Sequence, residues 1–248
     1  MHIQTDTATT AEDVATPARL AEVLAATPGA DDWECAVQRD DEAQLYLIGS
    51  RIEAQRQVIN ARTRVALYND HAPASGESTD LVRGSTALTL SNDDLTDRAR
   101  LAARLSDGVA IARLTDNPLF ALPAMPPGGF PSVSINDGDM AGDLPAALEA
   151  MRAELEQAVA AQPDVRLSSA ELYATHTSVT FRNSRGLAGD YDSTRIFLDL
   201  ALLARAGDQE SEFHATLTRR RMADLQLAQT VAVYATYARD VLHAVPPT

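Results

Sequence analysis

One order of predicted elements occurs twice along the chain, and this repetition constrains the fold more than any single motif. Each copy begins with a helix, continues with strands around a polar turn, adds a strand containing Thr-Arg, and ends with a helix that has Asp-Leu near its start. The two turns are Gly49-Ser50-Arg51 and Asn183-Ser184-Arg185-Gly186. This order predicts an α+β fold: an internally duplicated helix, antiparallel-sheet and helix unit.

Start signals and side-chain periodicity place the first copy at residues 16–114. Thr16-Pro17 is a typical helix start, because proline is favoured at the first helical position. Period-two alternation then predicts strands interrupted by a polar turn at 39–42, and Ser91 is the predicted N-cap of the closing helix. The predicted strands are 33–38, 43–48, 53–59, 63–69 and 82–90.

A Pro/Gly-rich linker and a second copy follow. Residues 115–142 hold five prolines and four glycines, a composition that predicts a linker. We place the second copy at 143–248 and a flexible tail at 1–15. The predicted elements of the second copy are a helix from Asp143 to Pro163, strands 165–173, 178–181, 194–204 and 212–218, and a helix 222–243.

Residue offsets between the copies support a duplication. Ser184, Arg195 and Leu225 follow Ser50, Arg64 and Leu95 by 134, 131 and 130 residues. Small drifts of this kind are what loop insertions in one copy produce. The alternative is two unrelated α+β segments with common turn chemistry.

Charge and hydropathy exclude several classes of function. The net charge of -14 and the pI of about 4.7 disfavour nucleic acid, since phosphate binding relies on clustered Lys and Arg. The run Arg219-Arg220-Arg221 is the exception, and we interpret it as a solvated helix entry. No apolar stretch is long enough to cross a bilayer, and residues 1–16 lack signal-peptide features. We therefore expect a soluble, cytoplasmic protein that does not bind membranes.

The chain has one cysteine and several acidic clusters that call for an interpretation. Cys35 cannot form an internal disulfide, and its place in an apolar alternation predicts a buried, inert thiol. The acidic clusters are Asp31-Asp32, Asp40-Asp41-Glu42 and Asp93-Asp94. Neighbouring residues on a strand point apart, so we interpret these clusters as caps and solvated turns rather than acid-base pairs.

Metal-binding patterns are weak. The histidines lack the helical two-histidine spacing of hydrolytic zinc sites. The weak metal candidates are His176 and His214, on separate predicted strands, and Glu212, which shares a face with His214. Asn136-Asp137-Gly138-Asp139 is similar to the start of a calcium loop but lacks the later bidentate Glu. We expect solvent-facing histidines and a plain turn, and therefore no catalytic, cofactor or metal site.

Short motifs in both halves resemble the N-terminal portion of the TldD/PmbA family. The second half carries Ala170-Glu-Leu-Tyr173, Thr180-Phe-Arg-Asn-Ser-Arg-Gly186, Asp192-Ser-Thr-Arg195 and a helix-forming segment, 219–243. In the first half, the matching features are the strand 33–37, the hairpin 51–58 and the helix start 88–95. This family comprises cytosolic zinc metallopeptidases, also described as modulators of DNA gyrase.

The resemblance implies a scaffold without catalysis. The family places its zinc ligands in a His-Glu-x-x-x-His helix and a later Cys in the C-terminal half, and neither has a counterpart here. Zinc is therefore expected only in a partner or in a missing C-terminal half, and the chain is not expected to be an enzyme by itself. Family members pair as dimers or as TldD with TldE (PmbA), enclosing a chamber for unfolded peptide.

Three hypotheses of function follow from the sequence. The first is a non-catalytic scaffold, chamber or partner subunit of a TldD/PmbA-type system, paired with a TldD/PmbA-like subunit or with a second copy. The alternative is a freestanding protein- or peptide-binding module unrelated to proteolysis, with an open sheet edge as its binding element. The third is an independent enzyme, which requires His176, His214 and Glu212 to converge on one point.

Overall fold

The computed structural model describes residues 17–73 and 80–244. The predicted tail 1–15 lies outside this range. The helices are α1 (Pro17–Ala25), α2 (Asn92–Thr96), α3 (Arg98–Ala112), α4 (Gly138–Gly142), α5 (Leu144–Ala160) and α6 (Leu227–Val241), with a short 3-10 helix at Met222–Asp224. The strands are β1 (Asp32–Ile48), β2 (Arg51–His71), β3 (Val82–Leu90), β4 (Val165–Asn183), β5 (Ala188–Ala206) and β6 (Gln209–Arg219).

The six strands form one antiparallel sheet in the order β3-β2-β1-β4-β5-β6. β3 pairs with β2 from Thr63 opposite Leu90 to His71 opposite Val82. β6 pairs with β5 along its whole length, from Arg219 opposite Ile196 onward. The predicted mixed α+β class is confirmed, whereas the internal duplication and the linker stay predictions.

The strands run through positions that were predicted to be turns. The predicted turn 39–42 is wrong, because β1 continues through it without a break. Its polar side chains are satisfied within the sheet: Thr177 donates a hydrogen bond to Asp40 at 2.6 Å, and Thr175 donates one to Glu42 at 2.8 Å. Cross-strand partners of this kind let acidic residues stay in a strand.

Helix ends also differ from the sequence-based expectation. The single closing helix predicted after Ser91 is two helices, because Asp97 has an extended backbone and its carboxylate accepts hydrogen bonds from the amides of Ala99 and Arg100. That geometry makes Asp97 the N-cap of a new helix. The helix α4 lies inside the predicted linker. No helix in the described ranges is long and apolar enough to cross a membrane.

The chain divides into two compact units that alternate along the sequence. Among the described residues, unit 1 comprises 17–38, 61–73, 80–131 and 179–191, and unit 2 comprises 39–60, 132–178 and 192–244. β1, β2, β4 and β5 therefore each contribute residues to both units. The sequence-based boundaries at 114 and 143 stay predictions.

Each unit has its own apolar core. In unit 1, α1 and α3 pack on alternate residues of β1, β2 and β3, and the fully buried members include Leu20, Leu24, Leu67 and Leu105. In unit 2, α5 and α6 cover one face of the sheet, with residues such as Leu45, Leu155, Leu172, Leu198 and Val231 between them. The opposite face of the sheet in unit 2 is not part of this core.

Candidate binding face and an ion network

The turn between β4 and β5 is the motif that carried the family resemblance. The Asn183 side chain closes it: Oδ1 accepts hydrogen bonds from the amides of Arg185 and Leu187 at 3.0 and 2.9 Å. Gly186 has a φ of 78°, a conformation that glycine adopts without strain. The turn thereby presents Ser184 and Arg185 to one carboxylate, that of Asp32.

Asp32 is the buried centre of an ion network in unit 1. Its Oδ1 accepts a hydrogen bond from Ser184 Oγ at 2.5 Å, and its Oδ2 lies 2.8 Å from Arg185 Nη2 and 3.0 Å from Arg83 Nη2. Arg83 is 3% exposed and makes a bidentate pair with Asp70 at 2.7 and 2.8 Å. We call these five residues the Asp32 network.

The Asp32 network has the properties of a structural support. Burial alone would raise the pKa of Asp32, but hydrogen bonds from Arg185 and Ser184, with the charges of Arg185 and Arg83, hold it below its usual value. Each charged group faces an opposite charge at hydrogen-bonding distance, as buried ions require. The interpretation of Asp32 as part of a solvated turn is therefore wrong, since it is 1% exposed.

A row of mostly aromatic side chains crosses the face of the sheet in unit 2 that lies opposite the apolar core. It runs over four neighbouring strands and consists of three rings, Tyr46, Tyr173 and Phe197, with the Arg56 guanidinium over the first of them. The Arg56 guanidinium lies 5.1 Å from the centroid of the Tyr46 ring. The Tyr46 and Tyr173 centroids are 5.7 Å apart, and those of Tyr173 and Phe197 are 5.5 Å apart. We call these four residues the aromatic row.

Hydrogen bonds fix the direction of the hydroxyl groups in the row. Tyr173 Oη donates to Glu171 Oε2 at 2.7 Å, because an ionised carboxylate can only accept. The bond of 2.6 Å between the two tyrosine hydroxyls must then be donated by Tyr46. Burial and hydrogen bonds to Tyr46 and Glu171 raise the pKa of Tyr173, so it stays protonated at neutral pH. This chemistry suits binding rather than proton transfer.

Polar side chains on the same strands extend the face beyond the row. Glu42 accepts a hydrogen bond from Thr175 and lies 3.6 Å from Arg195 Nη2. Together these groups offer flat aromatic surfaces bordered by hydrogen-bond donors and acceptors, a combination common in recognition surfaces.

The edge of the sheet next to Arg56 is open over the first part of β2. The ladder with β3 begins only at Thr63, so within the described ranges residues 51–60 have a strand neighbour on one side only. Ile52 and Ile59 on this edge are 44% and 53% exposed. An edge of this kind presents unpaired backbone amides and carbonyls to an incoming strand.

Three solved structures are similar to this chain. The alignment with TldE from Thermococcus kodakarensis covers 93% of this chain and 48% of that protein, at 14% sequence identity and a TM-score of 0.63. The alignment with a proposed modulator of a DNA gyrase from Thermotoga maritima covers 88% of this chain and 46% of that protein, at 10% sequence identity and a TM-score of 0.64. The alignment with a proposed modulator of DNA gyrase from Bacteroides thetaiotaomicron covers 92% of this chain and 50% of that protein, at 16% sequence identity and a TM-score of 0.64.

The shared feature is the fold. The resemblance expected from the sequence is thus confirmed at that level, and the chain spans about half the length of each of these three proteins. No protein-family profile and no curated protein sequence matches the chain.

The three weak metal candidates have other partners or surroundings. His214 Nε2 lies 2.6 Å from Asp199, and His176 Nε2 lies 3.4 Å from Asp192. Glu212 is exposed on β6, two residues before His214. Among the residues that the structure describes, no group of three or more His, Cys, Asp or Glu side chains is arranged to hold a metal ion. The three candidates are thus not brought together.

Cys35 lies in a packed core, and the calcium-like motif caps a helix. Cys35 is buried in the core of unit 1, where burial raises the pKa of its thiol to about 11. Asp137 is the N-cap of α4: one carboxylate oxygen accepts from the Met140 amide and the other from the Met222 amide. Both carboxylate oxygens of Asp137 therefore already accept hydrogen bonds from backbone amides.

The remaining charged motifs of the sequence also bind within the chain. Ser91 and Asp94 form a reciprocal capping box at α2, so the predicted cap is confirmed. In the basic run, Arg220 and Arg221 donate to the carbonyls of Thr194 and Ser134.

Sequence reasoning missed the aromatic row, although a signal for it exists. Each ring lies between two core aliphatic residues: Tyr46 between Leu45 and Leu47, Tyr173 between Leu172 and Ala174, and Phe197 between Ile196 and Leu198. Alternation then places the ring on the face opposite the core. The three rings meet because β1, β4 and β5 are neighbours in the sheet.

Proposed function

We propose that this chain is a non-catalytic scaffold or chamber subunit of a TldD/PmbA-type system, and that unit 2 holds unfolded polypeptide. The observation that carries this proposal is the open edge of β2, which continues through Arg56 into the aromatic row. The fold shared with TldE and with proposed gyrase modulators supports it. Zinc would belong to a partner chain or to a missing C-terminal half, and a cytoplasmic location stays a prediction.

Edge and row together suit an extended polypeptide of varied sequence. Backbone groups of residues 51–60 can pair with the backbone of an added strand, which gives affinity without demanding particular side chains. The rings of Tyr46 and Tyr173 and the neighbouring polar groups can then contact side chains of that strand. Tyr and Arg are the residue types most often responsible for binding energy at such surfaces.

A fluorescence anisotropy titration tests this site. The probe is fluorescein-labelled α-lactalbumin that has been reduced and alkylated, and the competitor is the native, folded protein. We expect the wild-type chain to bind the unfolded probe and the folded competitor to have no effect. Arg56→Glu and Tyr173→Ala should each weaken binding about tenfold, as loss of an interface anchor does.

Two matched variants control for charge and for loss of an aromatic side chain. Arg166→Glu reverses another exposed arginine, and Tyr237→Ala removes an exposed ring from α6; both should bind like the wild type. Equal weakening by all four variants, or no binding by the wild type, would contradict the proposed site.

The non-catalytic part of the proposal has its own test. Metal analysis of the purified chain and a peptidase assay on the same unfolded substrate should give no stoichiometric zinc and no turnover. Bound zinc together with turnover in the absence of a partner would overturn this part.

The alternative is a freestanding protein- or peptide-binding module unrelated to proteolysis. The same open edge favours it, because strand addition needs no second subunit. Affinity purification from the native host separates the two functions. Recovery of a zinc-bearing TldD-like chain supports the scaffold, and its reproducible absence favours the module.

A further inference from the structure

A cleft in unit 1 separates the two helices that pack on its sheet, α1 and α3. Its volume is about 570 Å³, within the range of about 300–1,000 Å³ that small-molecule sites have. Val23, Leu95, Leu101 and Leu105 line it. Leu101 and Leu105 are 3% and 1% exposed. The cleft therefore has an apolar floor that belongs to the core of unit 1.

Small side chains keep this cleft open. Gly29 lets the segment after α1 pack against the end of α3, since a Cβ atom at residue 29 would lie 3.1 Å from Val109 Cγ1. Within the cleft, Ala26 and Ala102 are exposed lining residues, one from each side. An alanine side chain ends at its Cβ atom, so neither residue can fill the space between the helices.

The charges at the rim of the cleft reverse the balance of the whole chain. Arg19, Glu22 and Arg98 are its charged lining residues, and all three are exposed. The chain contains 21 Lys and Arg residues against 35 Asp and Glu residues. A rim with two arginines and one glutamate therefore favours an anion, although the chain as a whole repels one.

Arg98 lies at a position where helix geometry does not call for a cation. It is the first residue of α3, and the N-terminal end of a helix favours negative charge. The nearest carboxylates in the sequence have other partners. Asp93 and Asp94 pair with Arg100, and Asp97 accepts hydrogen bonds from backbone amides of α3. An anion beside Arg98 would supply the negative charge that both the side chain and the helix end favour.

We propose that this cleft binds a small aliphatic carboxylate, such as a medium-chain fatty acid. Its alkyl chain would lie on Leu101 and Leu105, where burial removes apolar surface from water. Its carboxylate would accept hydrogen bonds from Arg98, whose planar guanidinium can hold both carboxylate oxygens. This inference rests on the cleft in unit 1 and does not depend on the proposed function, because the polypeptide site lies in unit 2.

Isothermal titration calorimetry of the whole chain with dodecanoate, below its micelle concentration, tests the proposal. Dodecyltrimethylammonium has the same alkyl chain with the opposite charge and should bind at least tenfold more weakly. The net charge of -14 would favour this cation, so the opposite preference can come only from local groups such as the rim arginines. The shorter octanoate should bind about fourfold more weakly for each methylene removed.

Two pairs of matched variants locate the ligand. Ala102→Trp fills the cleft and should weaken dodecanoate binding at least tenfold, whereas Ala103→Trp changes an exposed neighbour outside the lining and should bind like the wild type. Arg98→Glu should weaken binding about tenfold. Arg104→Glu reverses another exposed arginine of α3 that does not line the cleft, and it should have little effect. Circular dichroism and thermal unfolding establish that the four variants are folded.

Three results would overturn the proposal: no dodecanoate binding by the wild type, equal or tighter binding of the cation, or equal weakening by the two tryptophan variants. If the wild type binds no dodecanoate while Ala102→Trp weakens the binding of reduced and alkylated α-lactalbumin, the cleft holds polypeptide instead. The titrations with Arg56→Glu and Tyr173→Ala test unit 2 separately, so the two proposals can fail independently.

Discussion

The Asp32 network and the aromatic row both include residues of β1 and β2, but their surroundings differ. Asp32 and Arg83 are 1% and 3% exposed, and their charges face opposite charges. Tyr46 and Tyr173 are half-buried on a sheet face that contributes nothing to the core of unit 2. The first is centred on two buried, paired charges, whereas the second keeps ring faces and polar groups within reach of another molecule.

The difference shows that polar groups on the same strands take different roles according to burial. A buried carboxylate must be paired, so it holds the turn to the strands and tolerates little change. A half-buried hydroxyl can exchange a protein partner for water or for a ligand at small cost. The turn motif between β4 and β5, which resembles the family, is thus explained by its structural role in unit 1. The candidate binding surface is formed by residues that belong to no motif.

Removing Asp32 should have the largest effect on stability. Asp32→Ala leaves Arg83 with only part of its counter-charge and frees the Ser184 turn, so we expect a loss of about 3–5 kcal/mol in the free energy of unfolding. Urea denaturation measures it. The control is Asp190→Ala, which removes the exposed partner of Arg182 and should cost about 0–1 kcal/mol. Equal costs would show that burial does not separate the two pairs.

The Asp94 cap should give an intermediate effect that depends on pH. Hydrogen bonds from Ser91 and from Arg100 hold the pKa of Asp94 at about 2, below the ordinary 3.8. A lowered pKa in the folded state stabilises it above pH 3.8, and that contribution is lost as the pH falls through about 2. Asp94→Asn should therefore cost about 1 kcal/mol at neutral pH.

The measurement for this cap is a series of urea denaturation curves from neutral to acidic pH. The stability difference between wild type and Asp94→Asn should shrink across that window and vanish at its acid end. A difference that stays constant with pH would mean that ionisation of Asp94 contributes nothing to the cap.

The aromatic row should respond least in stability. Tyr173→Phe removes one hydroxyl, but water can reach Tyr46 and Glu171, so we expect a loss of about 0.5 kcal/mol. Thermal and urea unfolding of this variant would give the value. A cost near that of Asp32→Ala would place the row among the structural supports and remove the contrast between the two regions.

Much of the fold follows from local signals in the sequence. The capping box at Ser91 and the helical stripe of α5 stabilise their elements through near neighbours, so the sequence alone predicts them. The break at Asp97 is also local, but it depends on a backbone conformation that the apolar period does not show. The acidic positions within β1 need Thr175 and Thr177 of β4, which only the paired sheet reveals.

The site was less predictable because its parts are distant in sequence. Arg56, Tyr46, Tyr173 and Phe197 come together only when four strands are ordered correctly, and no local spacing encodes that order. Burial of Asp32 likewise depends on Arg83 and on the β4–β5 turn. Sequence periodicity assigned faces to strands, but it could not say which faces share a row.

Hydrogen exchange of the backbone amides tests the central claim most directly. The wild-type chain is labelled with and without saturating reduced and alkylated α-lactalbumin, and protection is measured along β2. If unit 2 binds an extended polypeptide at its open edge, amides within residues 51–60 should exchange more slowly in the complex, while those of 63–71 stay unchanged. A bound complex with no added protection in residues 51–60 would contradict the account.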